Sequence, residues 1–256
     1  MNGCYSVNVT TGTAGTTTPK PTRREERRRQ TVQEIKDLAM AQIAAGGPDA
    51  VSLSGIVREM SMSPAAVYRY FANRDALLAD LVVDAYDALA DSLVTLERGP
   101  GTAEDHLDAV LHATRTWALE HPNAYRLVFQ TSIGSGQELE PERTVPAASR
   151  SMAVIVDALG AVAAGSRSTP APARDGSPVG ATVAAWAERS GLADVGVDVL
   201  TLALLTWTRL HGIISLEIGG HLGSMGIGAD ALYASEVAAI RAQAGALSAG
   251  GSGSDG

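Results

Sequence analysis

Residues Ser52 to Phe71, SLSGIVREMSMSPAAVYRYF, decide the fold. Leu53, Ile56, Val57 and Met60 recur at three- and four-residue spacing, the inward stripe of a short helix. Ser52 stands just before that stripe, placed to cap a free backbone N–H. Ser61-Met62-Ser63 interrupts the pattern, and Ser63-Pro64 restarts a helix, with Ser at the cap and Pro in the first turn, where its missing N–H costs nothing. The second helix is expected over Pro64 to Tyr70, with Val67 and Phe71 inward. Ala65, Ala66, Tyr68, Arg69 and Tyr70 are then left facing outward or sideways. Two small side chains and three hydrogen-bond donors on one short helix suit a DNA major groove, about 12 Å wide, with the N-terminal residues nearest the base edges. A surface helical hairpin with solvated tyrosines would give the same spacing.

The elements on either side support a three-helix head. Upstream, Val32, Ile35, Ala39 and Ile43 form the inward stripe of a helix expected from Glu26 to Ala45, ended by Gly46-Gly47-Pro48. Downstream, Asn73 is a good cap and Asp75 suits the positive end of the helix dipole. Leu77, Leu78, Leu81, Val82, Ala85, Leu89 and Leu93 then run down one side of a long helix to about Leu96, able to link the head to the rest of the chain. Before the head, Arg23, Arg24, Arg27, Arg28 and Arg29 face Glu25 and Glu26 in sequence. That run is either a solvated helix start or an arm that meets phosphates beside the recognition helix.

Three segments together resemble the N-terminal domain of the tetracycline-repressor (TetR/AcrR) family. They are Gly47-Pro-Asp-Ala-Val-Ser-Leu-Ser-Gly-Ile56, Ser63-Pro-Ala-Ala-Val-Tyr-Arg-Tyr-Phe71 and Asn73-Arg-Asp-Ala-Leu-Leu78. The chain departs from the family pattern where Ser61 replaces the usual turn glycine, Val57 an alanine and Arg74 a lysine. With the turn unchanged, Ser61 is expected in a left-handed or otherwise costly conformation, at about 1 kcal/mol. The resemblance implies an all-α protein: a helix-turn-helix DNA-binding domain over 20–83 and a ligand-binding and dimerisation domain over 84–247. It also implies a homodimer on a double-stranded operator, paired through its last two helices, and release by a small-molecule inducer. Ser54, Ala65, Ala66 and Tyr70 become candidates for base edges. Ser52, Ser63, Tyr68, Arg69, Arg74 and Arg27, Arg28 and Arg29 become candidates for the DNA backbone or flanking groove.

Charge is divided along the chain. Residues 19–80 hold ten Lys/Arg and eight Asp/Glu, and the remainder ten and twenty, so a slightly basic head precedes an acidic body. The tails at 1–19 and 248–256 and the Pro-rich loop 165–178 are expected to be flexible. The single Cys4 allows no internal disulfide, and with no signal-peptide pattern a cytoplasmic location is expected.

After Gly99-Pro100-Gly101, helices are expected over 102–120, with Thr102 and Asp105 as a near capping box, and over 124–130, 143–163, 179–190, 195–219 and 230–247. The helix at 195–219 is strongly apolar. Its longest uncharged run is ten residues, against roughly 18–20 for a membrane span, so no membrane is expected. Within it, Trp207, His211 and Gly212 resemble the Trp-His-Gly signature of a subset of tetracycline-repressor-like C-terminal domains, and His121-Pro122-Asn123-Ala-Tyr125-Arg-Leu resembles a second segment of that subset. Trp117, Tyr125, Phe129, Trp186, Trp207 and His211 either line a ligand cavity or fill the core. His106 and His112 are six apart and share no helix face well; no metal site, cofactor or catalytic constellation is expected. A binding or interaction module with a vestigial DNA head is the second reading, and a small enzyme the third.

Overall fold

Thr22 and Glu25 cap each other's backbone and so start the first helix, α1 (Arg23–Gly46), three residues earlier than hydrophobic spacing implied. The protein is described here by a computed structural model covering residues 22–96, 101–129, 140–165, 178–189 and 192–249. The N-terminal tail with Cys4, the Gly99-Pro100 break, residues 134–139, most of the 165–178 loop and residues 250–256 lie outside the described residues.

Gly47 ends α1 at φ 76, a conformation that suits glycine, and a 3₁₀ turn, Pro48–Ala50, follows. α2 (Leu53–Glu59) begins where the Ser52 hydroxyl accepts from the Gly55 N–H at 3.2 Å, as its position suggested. Gln42 of α1 accepts from the Ser52 N–H at 2.7 Å and fixes where α2 starts. Ser61 sits at φ 52, the left-handed conformation expected of a residue replacing the turn glycine. The turn closes despite it, with the Met62 N–H on the Val57 carbonyl at 3.1 Å.

α3 (Pro64–Val67) is shorter than expected. Beyond Val67 the chain tightens into turns, with the Tyr70 N–H on the Val67 carbonyl at 2.9 Å, so Tyr68 to Tyr70 are turn rather than helix. Ser63 occupies the cap position, but its side chain makes no capping bond. Asn73 does cap α4 (Arg74–Val94), accepting from the Ala76 N–H at 2.8 Å. Ile35, Ala39, Ile56, Val67, Phe71, Leu77 and Leu78 make the core of the head.

The second layer is α5 (Ala103–Glu120), α6 (Pro122–Phe129), α7 (Pro141–Ala164), α8 (Pro178–Arg189), α9 (Val197–Ile218), a short α10 (His221–Ser224) and α11 (Ala229–Ala249). Thr102 and Asp105 form a complete capping box on α5. Leu93, Leu107, Leu111, Leu159, Leu200, Leu210, Tyr233 and Ile240 form its core. Arg115 of α5 bonds Glu217 of α9 at 2.8 and 2.5 Å and Asp230 of α11 at 2.6 Å, and lies over the Tyr233 ring. That pairing drives the arginine's pKa above its usual range and pins three helices together.

Gly220 takes φ 74 in the turn after α9, and Gly219 lies against the His221 ring. These two glycines therefore serve the turn. Gly212 has open space around it. Both α7 and α9 are long and apolar enough to cross a membrane by length and composition, a wider result than the run of uncharged residues suggested for α9. Here they pack against each other and against α11 in the second layer.

Candidate nucleic-acid interface and effector cavity

The helix-turn-helix presents the face the sequence implied. Ser54, Ser63, Ala65, Tyr68 and Arg69 are exposed, Ser52, Ala66 and Tyr70 half-buried, and Val67 fully buried behind them. Arg27, Arg28 and Arg29 are exposed too, on the first turns of α1, as the helix expected from Glu26 implied. The Arg28 guanidinium lies 5.0 Å from the centre of the Tyr70 ring, which joins the basic start of α1 to the recognition unit.

Arg74 departs from its anticipated role. Its guanidinium donates to the Pro48 carbonyl at 2.7 Å and to Asp49 at 3.1 Å, and lies 3.6 Å from Asp75. It staples the 3₁₀ turn to α4 instead of pointing freely at a phosphate. The Ser52 and Ser54 hydroxyls are 3.0 Å apart and satisfy one another on α2.

A cavity of about 180 Å³ lies in the second layer. Tyr86, Leu89 and Leu93 of α4 form one wall, and Val145, Ala148, Ser149, Ser151, Met152 and Ile155 of α7 the facing one. Thr114, Phe129, Trp186, Trp207 and His211 complete it. Four of the six aromatic candidates thus reach the cavity. Trp117 and Tyr125 do not. Trp117 is core, stacked on His121 with ring centres 5.5 Å apart. Tyr125 is fully buried and acts behind the cavity wall: its hydroxyl lies 3.1 Å from His211 Nδ1, 3.2 Å from the His211 carbonyl and 3.1 Å from Ser215 Oγ. Burial pushes the His211 imidazole down to about 4, so the ring is neutral near pH 7. The His211 ring centre is 4.0 Å from that of Phe129 and 5.2 Å from that of Trp207.

Residue type and the resemblance to the Trp-His-Gly signature marked the α9 part of the cavity, at Trp207 and His211. The walls from α4 and α7 were missed. Leu89 and Leu93 read as core stripe, and nothing local marks Tyr86 or Met152 as facing a void. Among the described residues, no group of three or more His, Cys, Asp or Glu side chains comes together to hold a metal.

One helix connects the two sites. Leu77, Leu78 and Leu81 of α4 lie in the head's core, and Leu89 and Leu93 of the same helix wall the cavity. Leu127 of α6 is buried in the head's core as well, two residues before Phe129 at the cavity.

Residues 35–81 match the family model for bacterial regulatory proteins of the tetR family, and residues 107–240 match the tetracyclin repressor-like C-terminal domain. The HTH-type transcriptional regulator Rv1816 of Mycobacterium tuberculosis is 33% identical over 208 residues, spanning 79% of this chain and 86% of its own length. Mb1846 of Mycobacterium bovis, another HTH-type transcriptional regulator, matches to the same extent. The crystal structure of the regulatory protein SCO4313 aligns with a TM-score of 0.67 at 37% identity, over 86% of this chain and 98% of that one. FadR from Bacillus subtilis, solved in complex with stearoyl-CoA, aligns with a TM-score of 0.56 over 82% of this chain and 98% of that one, but at 15% identity shares the fold alone. The chain belongs to the TetR family: it is a transcriptional regulator with a DNA-binding helix-turn-helix head and a tetracycline-repressor-like C-terminal domain.

Proposed function

We propose that this regulator is a repressor that binds a near-palindromic operator as a homodimer and lets go when a small apolar molecule enters the cavity. The observation that carries the reading is the continuity of α4, which packs the head at one end and walls the cavity at the other. A molecule between α4 and α7 presses on the helix that orients α3. Small displacements there change the spacing of two recognition helices that must meet successive major grooves.

On the DNA, Ala65, Ala66, Ser54 and Tyr70 approach base edges, while Ser63, Tyr68, Arg69 and Arg27 to Arg29 meet the backbone. With mostly small readers, discrimination rests on fit, thymine methyl contact and DNA shape. Ser52 and Arg74 support the motif from behind, through the capping bond to Gly55 and the bond to Pro48. For the dimer, the exposed Leu205 and Leu216 of α9, Leu232 of α11 and the open surface at Gly212 offer an apolar face on the last two long helices. The strained Ser61 gave some support to a vestigial head, but the intact turn bonds and exposed α3 face favour a working one.

Selection of bound duplexes from a random pool tests the reading. Enrichment of an inverted repeat, with half-sites a helical turn or more apart, is the expected result. A pool that stays random across a range of salt concentrations would contradict it.

A further inference from the structure

The cavity's chemistry specifies its occupant more closely than "small and apolar". None of the described residues that line it carries a formal charge near neutral pH, so a carboxylate, a phosphate or an ammonium ion entering it would be desolvated without a counter-charge among them. Its volume of about 180 Å³ is close to that of apolar cavities of about 150 Å³ that hold benzene. Several walls are rings: Tyr86, Phe129, Trp186, Trp207 and the His211 imidazole, with the Tyr86 and Phe129 rings edge to face at 5.8 Å. Such walls suit a planar guest that meets ring faces and edges.

One polar handle stands out against this background. The hydroxyls of Thr114, Ser149 and Ser151 are spent on carbonyls of their own helices, at 3.0, 2.8 and 3.0 Å. His211 is differently arranged. Its Nδ1 is held by the Tyr125 hydroxyl, which fixes the ring, and no described residue bonds its Nε2. When the Tyr125 proton goes to the His211 carbonyl, Nδ1 must carry the imidazole proton and Nε2 is a bare acceptor. When that proton goes to Nδ1 instead, Nε2 is a donor. A hydroxyl on the guest satisfies either tautomer, because it both donates and accepts.

We infer that the cavity takes an uncharged single-ring hydroxyarene, of the phenol class, with its ring among Trp186, Trp207 and Phe129 and its hydroxyl on His211 Nε2. This rests on reading the cavity as the effector site. Tyr125 and Ser215 are positioning residues: they hold the imidazole and touch no ligand.

The test is calorimetric titration of the full chain with phenol, para-cresol, toluene, anisole and benzoate. Phenol or para-cresol should bind about tenfold more tightly than toluene, the equivalent of one hydrogen bond. Anisole should fall between them and benzoate should not bind. His211→Phe should erase the preference for phenol over toluene while toluene still binds, and His211→Gln should restore part of it. Circular dichroism establishes that each variant is folded. Equal binding of phenol and toluene, tighter binding of benzoate, or a preference that survives His211→Phe would overturn the inference. Failure of the wider effector reading looks different. If no probe binds, and filling the cavity with Ala148→Trp leaves DNA affinity unchanged, both fall. If none binds but Ala148→Trp weakens DNA binding, the effector site stands and the hydroxyarene class is wrong.

Discussion

Ser61 holds a backbone conformation that a glycine would adopt more cheaply. Ser61→Gly should therefore raise stability by about 1 kcal/mol or less, since relief of the left-handed strain is partly offset by the greater freedom of glycine in the unfolded chain. The denaturation midpoint measures it, and a fall in the midpoint would mean the turn is not strained. Tyr68 is exposed beside α3, and the proposed interface sets its hydroxyl on phosphate rather than base. Tyr68→Ala should weaken binding to operator and to random duplex alike, by about 1 kcal/mol, in a filter or fluorescence titration. A loss confined to operator would make Tyr68 a base reader.

His211 gives a pH dependence whose sign is fixed. Its folded pKa of about 4 lies below its ordinary 6.5, so the unfolded chain binds the extra proton between those values. Stability from this residue is complete above pH 6.5 and drains away as pH falls towards 4, by at most about 3 kcal/mol because one edge of the ring opens to the cavity. His211→Phe should flatten that part of the stability profile. These single-residue features were partly legible: the left-handed Ser61 followed from its place in the turn. The inward pull on Arg74 was not, because it depends on a carbonyl of a 3₁₀ turn 26 residues away.

Among elements, α4 is the most heavily tethered by charge. Lys36 of α1 is buried against Asp80 at 3.0 Å and Asp84 at 2.7 Å. Arg143 of α7 pairs with Asp80, and Arg150, seven residues on, with Asp87 and Asp91. Burial disfavours the Lys36 charge, but the two aspartates outweigh it and hold its pKa above the ordinary lysine value. Burial likewise works against the Asp80 charge, and Arg143 and Lys36 overcome it, lowering that carboxyl. The Lys36 contribution is complete below pH 10.5 and is lost as pH rises through its higher folded value. The Asp80 contribution is complete above pH 3.8 and is lost as pH falls through its lower one. Lys36→Met should cost about 2 kcal/mol near neutral pH, less than a fully buried pair, because Asp84 is half-exposed and Asp80 keeps Arg143. Chemical denaturation checks it, and an unchanged midpoint would mean the network is solvated.

The ends of these helices were well marked where side chains cap them, as at Ser52, Asn73 and Thr102, because a cap is a local bond between residues three apart. They were less well marked at α3. Tyr68 to Tyr70 continue a helical pattern by type, yet Phe71 must turn inward to fill the head, and packing shortens the helix.

For the whole molecule, the proposed coupling of two sites through one helix requires them to influence each other equally. Whatever factor a bound ligand takes from DNA affinity, bound DNA takes from ligand affinity, typically 5- to 150-fold. The division into a head and a helical body was legible because its signals, the motif spacing and the charge asymmetry, lie along the chain. The cavity was half legible. Its α9 wall lies four residues apart in sequence, whereas the α4 and α7 walls exist only once two distant helices pack with a gap between them. Trp117 and Tyr125 have the residue types of pocket liners and fail only because their helices turn them to the core.

The coupling can be tested without knowing the ligand. Ala148 faces the α4 wall from α7, so Ala148→Trp fills the cavity and mimics an occupant. The measurement is operator affinity of this variant against wild type, on the duplex recovered by selection, with helicity and dimer mass checked alongside. Affinity at least about tenfold weaker, in a folded dimer, is the expected result. A folded, dimeric variant that binds the operator as tightly as wild type would contradict the claim that α4 carries the state of the cavity to the DNA.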